Sequence, residues 1–220
     1  LIRGSALFEA PPDITRFGVH AEQSLPLEWD PGASFAIAPS GDHIAFTGFR
    51  VNEPQRLFLQ AIDELQPRTI EVAGMARTPS YSPDGTSVAY SEVTTGRLMR
   101  YDLATGTAAP IGQRTTDASG IAWADENTIV FSESRVLWIA PIGGGDATQL
   151  TSLDSERHDV GHGQACALGG SDWIFFTCQH RDAHGERYSL EAVRRTGRDR
   201  HTIRDDAWGA MTLGEDVLLW

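Results

Sequence analysis

The sequence predicts an all-β fold, a β-propeller built of four-stranded antiparallel blades, and three observations carry that expectation. Five short apolar runs end on an aromatic residue: HIAF at Phe46, SVAY at Tyr90, TIVF at Phe131, WIFF at Phe176 and VLLW at Trp220, at intervals of 44, 41, 45 and 44 residues. Around each run the same order of strand-like segments and turns recurs. No stretch shows helical periodicity, and self-similarity at a period near 43 residues with four strands per unit is the pattern of a propeller blade.

The elements of a unit follow in order. The first strand is short and lies just before the apolar run, at Ile37 in FAIAPSGD, Tyr81 in SYSPDG, Trp123 in IAWADEN, Ala167 in ACALGGSD and Met211 in AMTLGED. A turn links it to the run. Ser82-Pro83-Asp84-Gly85 has the chemistry of a type I turn, because Pro83 presets φ and Gly85 can take the left-handed conformation. The first copy keeps Pro39 and Gly41, Asn127 is the left-handed residue expected in the third, and the fourth and fifth turns are degenerate. The third strand begins with Arg56, Arg97, Arg135 or Arg187 and alternates, as in Leu57, Leu59 and Ala61. A shorter fourth strand closes each unit around Ile70, Ile111, Leu150 and Ile203.

The expected blades are residues 33–75, 76–116, 117–159 and 160–206, with 207–220 starting a further one and ITRFGVH at 14–20 as a candidate ring-closing outer strand. The count predicts an incomplete ring of about 4–5 blades, in a chain that begins without Met and is expected to be a piece of a longer polypeptide. A two-sheet sandwich is the rival. Its strands keep one wet face and alternate, whereas the second strands here read IAF, VAY, IVF and IFF, apolar at every position and so covered on both faces.

Composition narrows the function classes. With 40% hydrophobic and 22% charged residues the chain belongs with folded globular proteins. No apolar run approaches the roughly 18 residues of a membrane helix, and LIRGSALFEA lacks the zones of a signal peptide. Eighteen basic against 30 acidic residues give a net charge of -12, which repels nucleic acid and anionic lipid. The densest basic stretch, RRTGRDRHTIR from Arg194 to Arg204, is expected to be a solvated hairpin. Cys166 and Cys178 neither form a disulfide scaffold nor supply a metal site alone.

The most ligand-like cluster is His158-Asp159-Val160-Gly161-His162 ahead of Cys166. Two histidines four apart share a metal on a helix, but Gly161 and Gly163 argue for a loop between units, where histidines serve as hydrogen-bonding pegs between blades. No metal or cofactor is expected. His180 and His184 flank a long connection and are expected to be exposed. The serines of GTS and GGSDW complete no nucleophile elbow, and the acidic pairs Asp125-Glu126 and Asp205-Asp206 are turn chemistry. SPDG and DLATG lack the ligand ladder of a calcium loop. Trp29, Trp123, Trp138, Trp173 and Trp208 are expected to fill core.

FAIAPSGDHIAFTG, PSYSPDGTSVAYSE and IGGGDATQLT resemble the PD40 type of WD40-like repeat, found in the TolB propeller and in propeller regions of bacterial serine/threonine protein kinases. Residues 120–177 are most similar to the kinase-associated set, with its Trp strand, tIvF run, Gly-Gly hairpin, LT and a His near His162. The likeness covers roughly residues 33 to 220. Pro-Asp-Gly survives intact only at Pro83-Asp84-Gly85, and no kinase motif is present. The resemblance implies a TolB-like, non-catalytic interaction or sensory module in the bacterial envelope, extracytoplasmic, that binds a protein, peptide or small ligand. The alternative is the substrate-gating propeller of a prolyl-oligopeptidase-like serine peptidase whose catalytic domain lies elsewhere.

Overall fold

The second strands behave as buried apolar runs must, covered on both faces by neighbouring sheets. The computed structural model describes residues 35–48, 55–72, 74–115, 118–213 and 216–219, and the candidate closing strand at 14–20 and Trp29 lie outside them. Every regular element among these residues is a β-strand. The first sheet has the order β1 (Phe35–Ile37), β2 (His43–Gly48), β3 (Arg56–Ala61), β4 (Arg68–Ile70), and the second β5 (Ala76–Tyr81), β6 (Ser87–Glu92), β7 (Arg97–Asp102), β8 (Thr107–Thr115). The third runs β9 (Ser119–Asp125), β10 (Thr128–Glu133), β11 (Val136–Pro141), β12 (Thr148–Gln149). The fourth runs β13 (Asp159–Ala167), β14 (Trp173–Asp182), β15 (Gly185–Arg194), β16 (His201–Asp205), and β17 (Ala210–Leu213) pairs with β18 (Asp216–Leu219). All pairings are antiparallel between chain neighbours, so each sheet is a meander.

The sheets stack in chain order. First strands β1, β5, β9, β13 and β17 neighbour one another in turn, which is the arrangement of blades around a propeller axis. The described residues form an open row of blades, not a closed ring. Between blades lie separate apolar layers: Tyr90 and Leu57 between the first and second, Phe131 and Ile129 between the second and third, Phe176 and Leu137 between the third and fourth. Phe131, Ile129 and Phe176 are fully buried, as the apolar strands predict.

Turn chemistry also holds where it was strongest. Gly85 (φ 70°) donates its amide to the Ser82 carbonyl at 2.9 Å, and Asp84 accepts from the Ser82 hydroxyl (2.6 Å) and the Thr86 amide (3.0 Å). Gly41 takes φ 74° in the first copy. Asn127 does not take the left-handed conformation; its amide donates to Asp125 Oδ1 at 2.8 Å in the turn. The fourth turn keeps a left-handed glycine, Gly170 at φ 73°.

One device is invisible in the repeat. Thr78 (φ 49°), Gly120 (φ 56°) and Gln164 (φ 47°) sit at the register breaks of β5, β9 and β13. Each is a β-bulge in a first strand. A Cβ at Gly120 would lie 3.0 Å from the Gln164 amide nitrogen, so adjacent bulges pack backbone against backbone.

Candidate functional site

The connections leading into first strands and the hairpins between second and third strands share one end of the blades. A cleft of ≈ 440 Å³ opens there between the third and fourth sheets. Its wall from the third sheet is the turn joining β10 to β11. Ser134 (φ 51°) and Arg135 (φ 68°) are the two central residues of that turn, a type I′ hairpin that prefers Asn-Gly. Holding two residues with a Cβ in this conformation costs about 1–2 kcal/mol each, and such strain concentrates at functional sites. Arg135 was expected to begin the third strand; the structure places it at the exposed rim, with no side-chain partner among the described residues, and starts the strand at Val136.

The opposite wall comes from β14, β15 and the connection toward β17. Tyr188 and Trp208 pack with ring centroids 4.1 Å apart at 57°. Trp208 remains 47% exposed, so it presents a face to the cleft instead of filling core, unlike Trp123, which is buried and donates its Nε1 proton to the Ser80 carbonyl at 3.0 Å. Gln179 donates to Glu186 Oε2 at 3.1 Å, and Arg181 donates its Nε proton to Glu186 Oε1 at 3.0 Å, which orients both above the floor.

The floor is β13. HDVGH, expected as a loop, is strand from Asp159 onward, because β13 pairs with β14 across a bulge that lets Gly161 and Gly163 stay in register. The two histidines weighed and set aside as metal ligands are not brought together: His158 is exposed at φ 61°, while His162 is buried. The His162 amide donates to the Arg135 carbonyl (2.8 Å), its carbonyl accepts from the Ser132 hydroxyl (2.7 Å), and its Nδ1 lies 2.8 Å from Thr151 Oγ1. It is a peg between blades. Burial and the Arg200 charge push its pKa down to about 4, so it is neutral at pH 7.

Beneath His162 lies a buried ion network that the sequence did not announce. Arg200 reaches Asp159 Oδ2 at 2.8 Å and donates its Nε proton to Glu191; Arg157 donates to Glu191 Oε1 at 2.5 Å. The two carboxylates are fully buried and the two guanidinium groups neutralise them. Burial alone would raise the Asp159 pKa, but hydrogen bonds from Arg200 and the Asp154 amide outweigh it and hold it at about 2. The basic hairpin is therefore not simply solvated, since Arg200 plugs this network and Arg195 crosses to Asp125 and the Ala124 carbonyl of the third blade. His180 corrects the expectation of an exposed loop residue: it is 1% exposed within β14, with Nε2 2.8 Å from Ser189 Oγ and Nδ1 3.1 Å from the Arg157 carbonyl, whereas His184 is exposed as expected.

The hydroxyls considered as nucleophiles have structural hydrogen-bonding partners. Ser87 Oγ accepts from Arg100 Nε at 2.9 Å, and Ser171 Oγ accepts from the Trp173 amide at 3.0 Å. Cys166 and Cys178 are free and buried, and burial pushes the Cys166 thiol up to about 12, far from a reactive thiolate. No helix among the described residues is long and apolar enough to cross a membrane.

No family model matches the chain, and no curated protein matches it. Solved structures do. A putative TolB from Agrobacterium tumefaciens superposes with a TM-score of 0.65 at 17% identity, covering 78% of this chain and 64% of that one. TolB from Acinetobacter baumannii gives 0.61 at 17%, covering 90% and 46%, and puromycin hydrolase gives 0.57 at 17%, covering 77% and 28%. The chain thus spans less than two thirds of the length of each of these, down to 28% for puromycin hydrolase. At this identity the likeness shows the fold, a TolB-like β-propeller, and it matches the resemblance carried by the repeat turns.

Proposed function

We propose that this chain is a non-catalytic interaction propeller that binds a protein or peptide partner in the cleft between its third and fourth blades. The observation that carries the reading is the combination of an exposed Trp208 packed on Tyr188 with Arg135 held on a strained rim opposite them. Aromatic residues and Arg are what binding hot spots are made of, and Trp208 is packed on Tyr188 of β15 while Arg135 sits in a tight two-residue turn, which limits the entropy lost on binding. The partner does not need to be basic or acidic overall. The chain's net charge of -12 disfavours nucleic acid, while Arg135 and Arg181 place cations at the cleft. The resemblance to kinase-associated and TolB propellers supports an extracytoplasmic, envelope setting with a sensory role.

A second reading has its own support. The likeness to puromycin hydrolase extends over 77% of this chain, which favours equally a propeller that gates access to a peptidase domain. In that reading the cleft meets the catalytic domain or its substrate.

Peptide selection on the 220-residue chain tests the first reading. Peptides selected on the wild type are expected to bind the Trp208→Ala/Arg135→Ala double variant at least about tenfold more weakly, the loss of about 1.4 kcal/mol expected when hot-spot residues go. Equal binding to both proteins would remove the cleft from the reading.

A further inference from the structure

Below the cleft, three side chains of different chemistry converge. Asp159 from β13 and Cys178 and His180 from β14 are all buried, and a carboxylate oxygen, a sulfur and an imidazole nitrogen lie within 4.8 Å of one another. His180 Nδ1 is 3.0 Å from Asp159 Oδ1 and 3.9 Å from Cys178 Sγ. A tetrahedral zinc-type ion, about 2.1 Å from N and O and about 2.3 Å from S, spaces its N and O ligands about 3.4 Å apart and its N and S ligands about 3.6 Å apart. The two His180 spacings lie within about 0.4 Å of those edges, a shift that side-chain rotation supplies, and the Asp159 oxygen and Cys178 sulfur are no more than 4.8 Å apart.

Hydrogen-bond accounting points the same way. His180 Nε2 lies 2.8 Å from Ser189 Oγ, whose hydroxyl also reaches Glu191 Oε1 at 3.1 Å, so a cation on Nδ1 would leave the imidazole proton on Nε2 with Ser189 as its acceptor. That tautomer turns a bare Nδ1 lone pair toward Asp159 Oδ1 and the Arg157 carbonyl. Asp159 Oδ1 is buried, and the groups beside it are the other two members of the cluster, His180 Nδ1 at 3.0 Å and the Cys178 sulfur. Acceptors converging in a dry interior are costly unless a cation joins them. A serine holding the far nitrogen of a histidine is also how proteins orient an imidazole toward a metal.

We propose that Asp159, Cys178 and His180 form a binding site for a zinc-type divalent cation, which enters in exchange for the Arg200 guanidinium. Arg200 now holds the place of that cation, with Nη2 2.8 Å from Asp159 Oδ2 and 3.3 Å from Cys178 Sγ. The exchange balances. With Arg200 in place, Asp159 is anionic and Cys178 is a thiol; when the divalent ion enters, Cys178 releases its proton to solvent, thiolate and carboxylate cancel the ion's two charges, and Arg200 leaves as a cation. Glu191 keeps Arg157 as its partner. Arg200 has a way out, since its side chain is 18% exposed and it precedes β16, whose residues are all exposed. The sulfur ligand selects against magnesium and calcium.

Cobalt(II) is the probe, titrated into metal-free wild-type chain at pH 7.5. A thiolate-to-cobalt charge-transfer band is expected, saturating at a single equivalent, bleached by zinc and accompanied by release of the thiol proton. Cys178→Ser is expected to abolish the band and Cys166→Ser to retain it, while Arg200→Gln tightens cobalt binding about tenfold by removing the competing cation. Absence of the band in the wild type, or its survival in Cys178→Ser, overturns the site. Unchanged or weaker binding by folded Arg200→Gln overturns the exchange. The wild-type titration decides the proposal even if a variant does not fold.

Discussion

At the scale of single residues, His162 does two jobs that a histidine is suited to combine. Its backbone ties the fourth blade to the third, and its ring sits 5.0 Å from Phe176 above the Asp159, Glu191 and Arg200 charges. Burial is the leading cause of its depressed pKa. The folded chain therefore binds fewer protons here than the unfolded one, and stability falls as pH drops from about 6.5, the unfolded value, toward about 4. Asp159 extends the loss to lower pH, since its contribution disappears as pH falls from 3.8 toward about 2. Urea denaturation is expected to show the wild type about 2 kcal/mol less stable at pH 4.5 than at pH 7 on account of His162, and His162→Asn, which keeps a partner for Thr151, to flatten that difference. A variant with the wild-type slope would mean that His162 is not the group that titrates.

At the scale of elements, the second strands and the hairpin turn at Ser82 were legible because their causes are local. Burial on both faces demands apolar residues at the centres of these strands, Val88–Tyr90 in β6 and Ile129–Phe131 in β10, and Gly85 is required by a positive φ. The bulges were not legible. Thr78, Gly120 and Gln164 share a left-handed conformation but no side-chain chemistry, because the neighbouring blade, not the residue, imposes the geometry. Gly120 is the exception that tests this. Adding a methyl there places a Cβ against the Gln164 backbone and strains a positive φ, so Gly120→Ala is expected to lower stability by about 1–3 kcal/mol in chemical denaturation, whereas Gly170→Ala, with open space around it, is expected to cost about 1 kcal/mol from φ alone. Equal effects would count against backbone packing of the bulges. The ion network escaped the sequence for a related reason: Asp159, Glu191 and Arg200 meet only after β13, β15 and the turn into β16 are in place, and a run of arginines gives no sign that one of them is an inward plug.

At the scale of the whole molecule, the row of blades has two unlike ends. On the first sheet, Ala36, Ala45 and Leu59 face the second blade, while the residues paired as Phe35 with Phe46 and Ile37 with Ile44 face away from it. Phe35 is 60% exposed and Ile37 49% exposed, an apolar edge of the kind that a further blade covers in a closed propeller. The chain is expected to bind a hydrophobic fluorescent dye at pH 7, and Phe35→Ser/Ile37→Ser to reduce that fluorescence at least twofold without changing the circular dichroism. Unchanged dye binding in the double variant would place the accessible apolar surface elsewhere. The propeller class was legible from periodicity, but the cleft was not, because Trp208, Tyr188 and Arg135 come from different blades and none stands out in its own repeat.

The pegs between blades have a consequence for how such a chain can change over generations. Ser132 donates to the carbonyl of His162, and Thr177, the matching residue of the next blade, donates to the carbonyl of Trp208 at 2.6 Å. At these two joints the donor is a small hydroxyl just after the aromatic of the second strand, and the acceptor is main chain, which any residue supplies. The residue that supplies the carbonyl can therefore change its side chain with this bond of the joint intact. A cleft such as the one beside Trp208 can be rewritten by mutation while the scaffold that holds it stays the same.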